Sequence, residues 1–188
     1  TGSLFFVPHG RTYWLLLNVA FALLGQSLFT ARLVSLMGLT ALVVGTYLVG
    51  RLYVSHTVGL WSAGLVSLAW LSFHVGHLAR PDMVAAAAVT GTIGLLYWAM
   101  ARRQPALYLG LGLAIIWQMD LHLNLIHFAL PLTIVAVIHI YRERSWAMLA
   151  ALGAGLFLGS AVFALVHLGN VFDRFATGAS ADPAALLN

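Results

Sequence analysis

The chain has 188 residues, 62% of them hydrophobic and 7% charged, where a soluble domain carries about 25% charged residues. So few charges cannot cover a water-facing surface, which excludes a soluble enzyme and leaves an integral membrane protein. The net charge of +4 comes from nine arginines and no lysine, too little and too scattered for a nucleic-acid partner, and the lack of cysteine excludes disulfides and thiolate metal sites.

In chain order, residues 12–25 (TYWLLLNVAFALLG) are short for a span, which takes roughly 20 apolar residues. They read as a half-embedded or tilted helix. Residues 27–53 are long enough to cross with tilt; residues 57–73 and 83–100 are the third and fourth apolar helices. The run 106–141 is too long for one crossing at about 1.5 Å per residue. A break in WQMDLHLN (117–124) divides it into two helices, with Pro131 kinking the second or marking its first turns. The last helix covers 145–168. Residues 1–10 and 169–188 read as loops. The expected fold is all-α: one polytopic transmembrane bundle over residues 1–188, with about six to seven helices.

Arginine placement orients this bundle. Arg51 follows the second helix, Arg102 and Arg103 the fourth, Arg142 and Arg144 the sixth. If each long run crosses once and 106–141 crosses twice, all five share one side, which the positive-inside rule makes cytoplasmic. The opposite, outer side collects residues 1–10, HLARPDM, QMDLHLN and the tail from Gly169. The polar residues near that face are His77, Asp82, Asp120 and His122, so chemistry is expected there. The arginine corners, with Glu143 and His56, read as connectors. The tryptophans fall largely near helix ends, as interfacial aromatics do.

HVGHLARPDM (74–83) concentrates polar side chains between two oily runs. Pro81 and Asp82 suit the start of a helix, where proline fits and an acid meets the positive end. His74 and His77, at i and i+3, share a helical face, and with Asp82 they form a candidate metal site; hydrogen-bonded interfacial histidines are the plainer reading. Asp120 and His122 lie two apart in an apolar segment. An ionisable group there is by default a functional candidate facing a cavity, unless the break is simply a wet loop. His127, His139 and His167 read as contacts between helices. Eight histidines raise the idea of a pigment or haem, but nothing pairs them. Gly155 and Gly159 form a small-xxx-small pair, suited to packing within the bundle or to a dimer face.

The order FTARLVSLMGLTALVVGTYLVGRLY, an apolar helix, HLARPDMVAAAAVTGTIGLLYW and then YLGLGLAIIWQMDLHLN resembles the ArnT-like and protein O-mannosyltransferase-like group, membrane glycosyltransferases of the GT-C type. The resemblance covers residues 8–145. It implies a GT-C-like bundle in a membrane, the bacterial inner membrane by expectation, with its catalytic centre at the outer face. A polyprenyl-phosphate sugar would enter from the lipid bilayer, its phosphate held by cations or a divalent metal ion and the acceptor activated by a carboxylate. The A-R-P-D aspartate of such families belongs to the active-site region, which carries over to Asp82, with Arg80 as phosphate or structural partner. Asp120 and His122 fall where the next active-site segment comes, as a second carboxylate and a phosphate-binding group.

Two departures matter. The family's main catalytic carboxylate lies in a first outer loop, whereas TGSLFFVPHG contains no acid, and the family has further helices after residue 168. The resemblance therefore implies a fragment of a longer enzyme, or a relative without the base and inactive as it stands. The alternative is a non-catalytic integral subunit of the same fold, assembled with other membrane subunits in, for example, a photosynthetic or respiratory complex. A transporter has less support, since no repeated pair of broken helices is seen.

Overall fold

The computed structural model describes residues 11–76, 78–121 and 125–178. The expected outer segment 1–10, the end of the tail, His77 and His122 lie outside the described residues. Everything regular among the described residues is helical: α1 (Arg11–Leu24), α2 (Leu28–Tyr53), α3 (His56–Leu68), α4 (Trp70–Gly76), α5 (Asp82–Arg102), α6 (Pro105–Leu121), α7 (Ile126–Glu143) and α8 (Trp146–Gly178). The protein is an all-α membrane bundle. Four of its helices, α2, α5, α7 and residues 146–165 of α8, are long and apolar enough to cross a bilayer.

Local chemistry sets most boundaries. Ser27 and Ser55 hold extended backbone ahead of α2 and α3, and their hydroxyls accept from the amides of Thr30 (3.1 Å) and Val58 (3.3 Å), satisfying amides a helix start leaves without acceptors. Gly25 turns the chain between α1 and α2 at φ +84°, where other residues are strained. Pro105 opens α6, where its missing N–H costs nothing. Pro131 lies inside α7 rather than at its first turn.

Two boundaries differ from the sequence reading. Residues 57–73 do not form one helix: Ala69 is extended (φ −62°, ψ 126°) and separates α3 from the seven-residue α4, which raises the helix count to eight among the described residues. And α8 continues to Gly178, so residues 169–178 are helical where a loop was expected. A glycine costs a helix only about 1 kcal/mol, and Val171, Phe172 and Phe175 carry an apolar helical spacing past Gly169.

Glycines report how the helices run. A Cβ on Gly38 would strike Val84, one on Gly45 would press on Thr90, and one on Gly94 would touch Val49. The numbers rise together, so α2 and α5 are parallel neighbours. Likewise Gly155 abuts Leu109 and Gly159 abuts Ile116, so α6 and α8 are parallel. Parallel neighbours need a return path between them. That path is α3 with α4 in one case and α7 in the other. The short α6, about 26 Å at 1.5 Å per residue, still runs the bundle's length. It starts beside the end of α5, and its Leu121 packs on Ala85 and Val89 near α5's start. α2, α5 and α7 therefore run one way, and α3–α4, α6 and α8 run back.

This alternation gathers the five arginines at one end, as their spacing anticipated. Arg103 Nη1 lies 2.9 Å from Glu143 Oε2, tying the α5–α6 corner to the α7–α8 corner. The main core between α5, α6, α7 and α8 is built on Leu96, Tyr108, Leu111, Ile115, Ala136 and Leu152. Gly155 and Gly159 are spent on the α6–α8 contact inside this bundle, the first of the two readings of that pair.

Candidate functional site

The opposite end holds the starts of α1, α5 and α7 and the finish of α6. It is organised by the first turn of α1. Among residues 4–10, just before that helix, there is no Ser, Thr, Asp or Asn to cap it. The cap comes from α6 instead. Asp120 Oδ2 accepts from the Thr12 amide at 2.9 Å and from the Thr12 hydroxyl in a short hydrogen bond. Trp117, one turn earlier on α6, donates its indole N–H to Thr12 Oγ1 at 3.1 Å. A carboxylate at the N-terminus of a helix is stabilised by the unpaired amides and by the helix dipole.

The next residue of α1 leads toward the other acid. Tyr13 is buried (2% exposed), and its hydroxyl lies beside Ser35 of α2 and within electrostatic reach of Asp82. Ser35 is fully buried and clamps the loop before α5: its hydroxyl donates to the Arg80 carbonyl at 2.9 Å and accepts from the Arg80 amide at 3.1 Å. With the backbone of Arg80 fixed in this way, its guanidinium reaches forward to Asp82, Nε to Oδ2 2.8 Å. Asp82 is the first residue of α5, after an N-cap proline that supplies no side-chain cap; its charge meets the helix's positive end and the arginine together.

Adjacent residues of α1 thus connect to two acids 38 positions apart in sequence (120 − 82). Each acid also sits at the head of a groove. Asp120, Thr12 and Trp117 open onto a cavity of about 720 Å³, walled by Leu113 and Ile116 of α6 and Val162 of α8. Asp82 opens onto a second cavity of about 400 Å³ between α2, α5 and α7, walled by Leu42, Val89 and Phe128. Both grooves are largely apolar with one carboxylate at the polar end, a shape suited to amphiphiles. Close by on α6, Gln118 is 0% exposed and its amide makes no hydrogen bond among the described residues. A buried amide in that state destabilises the fold unless something polar meets it.

Of the expected site residues, Arg80 and Asp82 are brought into contact, and Asp120 joins them through the first turn of α1. His74 is exposed and stands edge-on to Trp70, ring centroids 4.5 Å apart. Among the described residues no three of His, Cys, Asp or Glu gather as metal ligands. His77 and His122 lie outside those residues. His56, at the arginine end, bonds the Tyr47 hydroxyl (3.0 Å). Thr12, Tyr13, Ser35 and Gln118 are members of this site that sequence reasoning passed over. The missing local cap before Arg11 is a signal for Thr12; Tyr13, Ser35 and Gln118 carry no comparable local mark.

A family model described as dolichyl-phosphate-mannose-protein mannosyltransferase matches residues 9–167. No curated protein and no solved structure matches the chain.

Proposed function

Because the chain belongs to the dolichyl-phosphate-mannose-protein mannosyltransferase family, membrane glycosyltransferases of the GT-C type, we propose that its acid-bearing end takes part in transferring a sugar from a polyprenyl-phosphate donor at the outer membrane face. The observation that carries this reading is the gathering of Asp82 and Asp120 around the first turn of α1, each heading an apolar groove. A polyprenyl-phosphate sugar is an amphiphile of matching shape. Its chain suits apolar walls and bilayer, and its phosphate and sugar suit the polar end. A carboxylate there can accept the acceptor's proton. Arg80, half exposed beside Asp82, is a cation within reach of a phosphate; a charge-assisted, bidentate contact of that kind is what a guanidinium supplies. His122 keeps its expected role toward phosphate as part of this proposal. The outer side is supported by the five arginines at the other end.

One observation favours a second reading, a non-catalytic membrane subunit. Both acids already have structural partners, Asp120 in the α1 cap and Asp82 in the Arg80 pair. The decisive experiment is a transfer assay in membranes carrying the protein, with polyprenyl-phosphate mannose as first probe. The enzyme reading expects transfer above background and at least a tenfold loss in Asp82→Asn. Absence of transfer, or wild-type turnover in Asp82→Asn and Asp120→Asn alike, would return both acids to purely structural roles.

A further inference from the structure

The arginine end carries a feature the transfer reading does not use. Between the end of α7 and the start of α8 lies a cavity of about 540 Å³. Val137 and Leu149 give it apolar walls, and Arg142 and Arg144 line its polar side. Tyr141 and Trp146, each 82% exposed, flank it. Glu143 sits between the two arginines in sequence, yet its carboxylate pairs with Arg103. Arg142 and Arg144 therefore have no acidic partner among the described residues. Arg144 adopts a left-handed backbone (φ 53°), which turns the chain into the first turn of α8, where Ser145 caps the Met148 amide and the positive end of the helix dipole adds to the local charge. The exposed tyrosine and tryptophan are the residues that settle at headgroup level in a bilayer.

We propose that this cavity is a binding site for an anionic phospholipid, its phosphate held by Arg142 and Arg144 and an acyl chain lying along Val137 and Leu149. Topology alone would place arginines in these corners. It would not require two of them, free of acids, to line one apolar cavity between exposed aromatics. Charge complementarity selects an anionic headgroup over a zwitterionic one, and the apolar walls select a lipid over free phosphate.

The test is native mass spectrometry of the purified protein in mild detergent, with phosphatidylglycerol and phosphatidylcholine supplied at equal concentration. The wild type is expected to retain one phosphatidylglycerol several-fold better than phosphatidylcholine, and millimolar inorganic phosphate is expected not to displace it. At about fivefold per juxtamembrane charge, Arg142→Gln/Arg144→Gln should lose roughly 25-fold in retention, while Arg102→Gln, outside the cavity, should lose little. Equal retention of the two lipids by the wild type overturns the proposal without needing any variant to fold. So does displacement by phosphate, or a loss in Arg102→Gln as large as in the double variant.

Discussion

Thr12 and Asp120, 108 positions apart, are joined by two hydrogen bonds to a single carboxylate oxygen, so the end of α6 serves as the missing N-cap of α1. A local cap is worth about 1 kcal/mol, and hydrogen bonds to a charged group about 1.5–3 kcal/mol. A double-mutant cycle with Thr12→Val and Asp120→Ala should therefore return a coupling energy of about 1–2 kcal/mol in detergent unfolding. Thr12→Val alone removes only the hydroxyl and leaves the amide bond, so it should cost less than Asp120→Ala. Additivity within about 0.5 kcal/mol would mean the hydroxyl–carboxylate bond does not help hold α1, and a negligible cost of Asp120→Ala would remove the cap altogether.

Arg80 offers a way to separate support from chemistry. Its side chain is 54% exposed and that of Asp82 31%, and ion pairs this wet contribute about 0–1 kcal/mol. The loop is held through the Arg80 backbone by Ser35, so Arg80→Gln should leave thermal stability nearly unchanged. If the guanidinium meets the donor's phosphate, the same variant should lower transfer at least tenfold, and Arg80→Lys should restore part of it by charge alone. Ser35→Ala is the contrast: it removes the hydroxyl that bonds the Arg80 carbonyl and amide, leaving the amide only its bond to the Leu78 carbonyl, and should cost about 1–2 kcal/mol of stability. A large stability loss in Arg80→Gln would assign the arginine to the fold rather than to the substrate.

The sidedness of the bundle can be read directly by cysteine labelling, since the chain has no cysteine of its own. Ala79→Cys, in the exposed loop before Asp82, and Gln104→Cys, in the exposed corner beside Arg103, sit at opposite ends of α5. A membrane-impermeant maleimide applied to intact cells should label the first and spare the second until the membrane is opened. The reverse pattern would put the acids on the cytoplasmic side and remove the outer-face reading.

What the sequence reveals and what it hides divide along physical lines. Lipid demands long apolar runs with satisfied backbones, so the spans, the division of 106–141 and the arginine alternation are all legible. Serine at 27 and the Pro81–Asp82 pair mark helix starts by local rules. The break at Ala69 has no proline or glycine behind it. It accompanies the packing of α4 on α2, where Gly76 lets Leu39 approach to a distance that would leave 2.8 Å to an added Cβ, a tertiary cause with no local mark. Asp120 is conspicuous as a charge in an oily segment, but its partner is a threonine on another helix, and a cap supplied from 108 positions away leaves no motif. Ser35 looks like one more small residue of a span until the fold places it under Arg80.

Two glycines on α8 give the sharpest test of the packing. An added Cβ on Gly153 meets nothing within 4 Å, whereas one on Gly155 would lie 2.2 Å from the Leu109 carbonyl oxygen and 3.1 Å from Gly112 Cα. The obstacle at Gly155 is the backbone of α6, which cannot swing aside as a side chain can. Gly155→Ala should therefore force α6 and α8 apart and destabilise the protein by about 1–3 kcal/mol, the usual cost of overpacking. Gly153→Ala should be neutral, or stabilising by up to about 1 kcal/mol from helix propensity. The two variants differ by the same methyl group on the same helix, so their contrast in detergent unfolding isolates the α6–α8 contact. Because Gly159 lies one turn on, where an added Cβ would come within 2.9 Å of Ile116 in the wall of the groove headed by Asp120, separation of these helices should also reshape that groove. Equal behaviour of Gly153→Ala and Gly155→Ala would show that the two helices do not approach this closely.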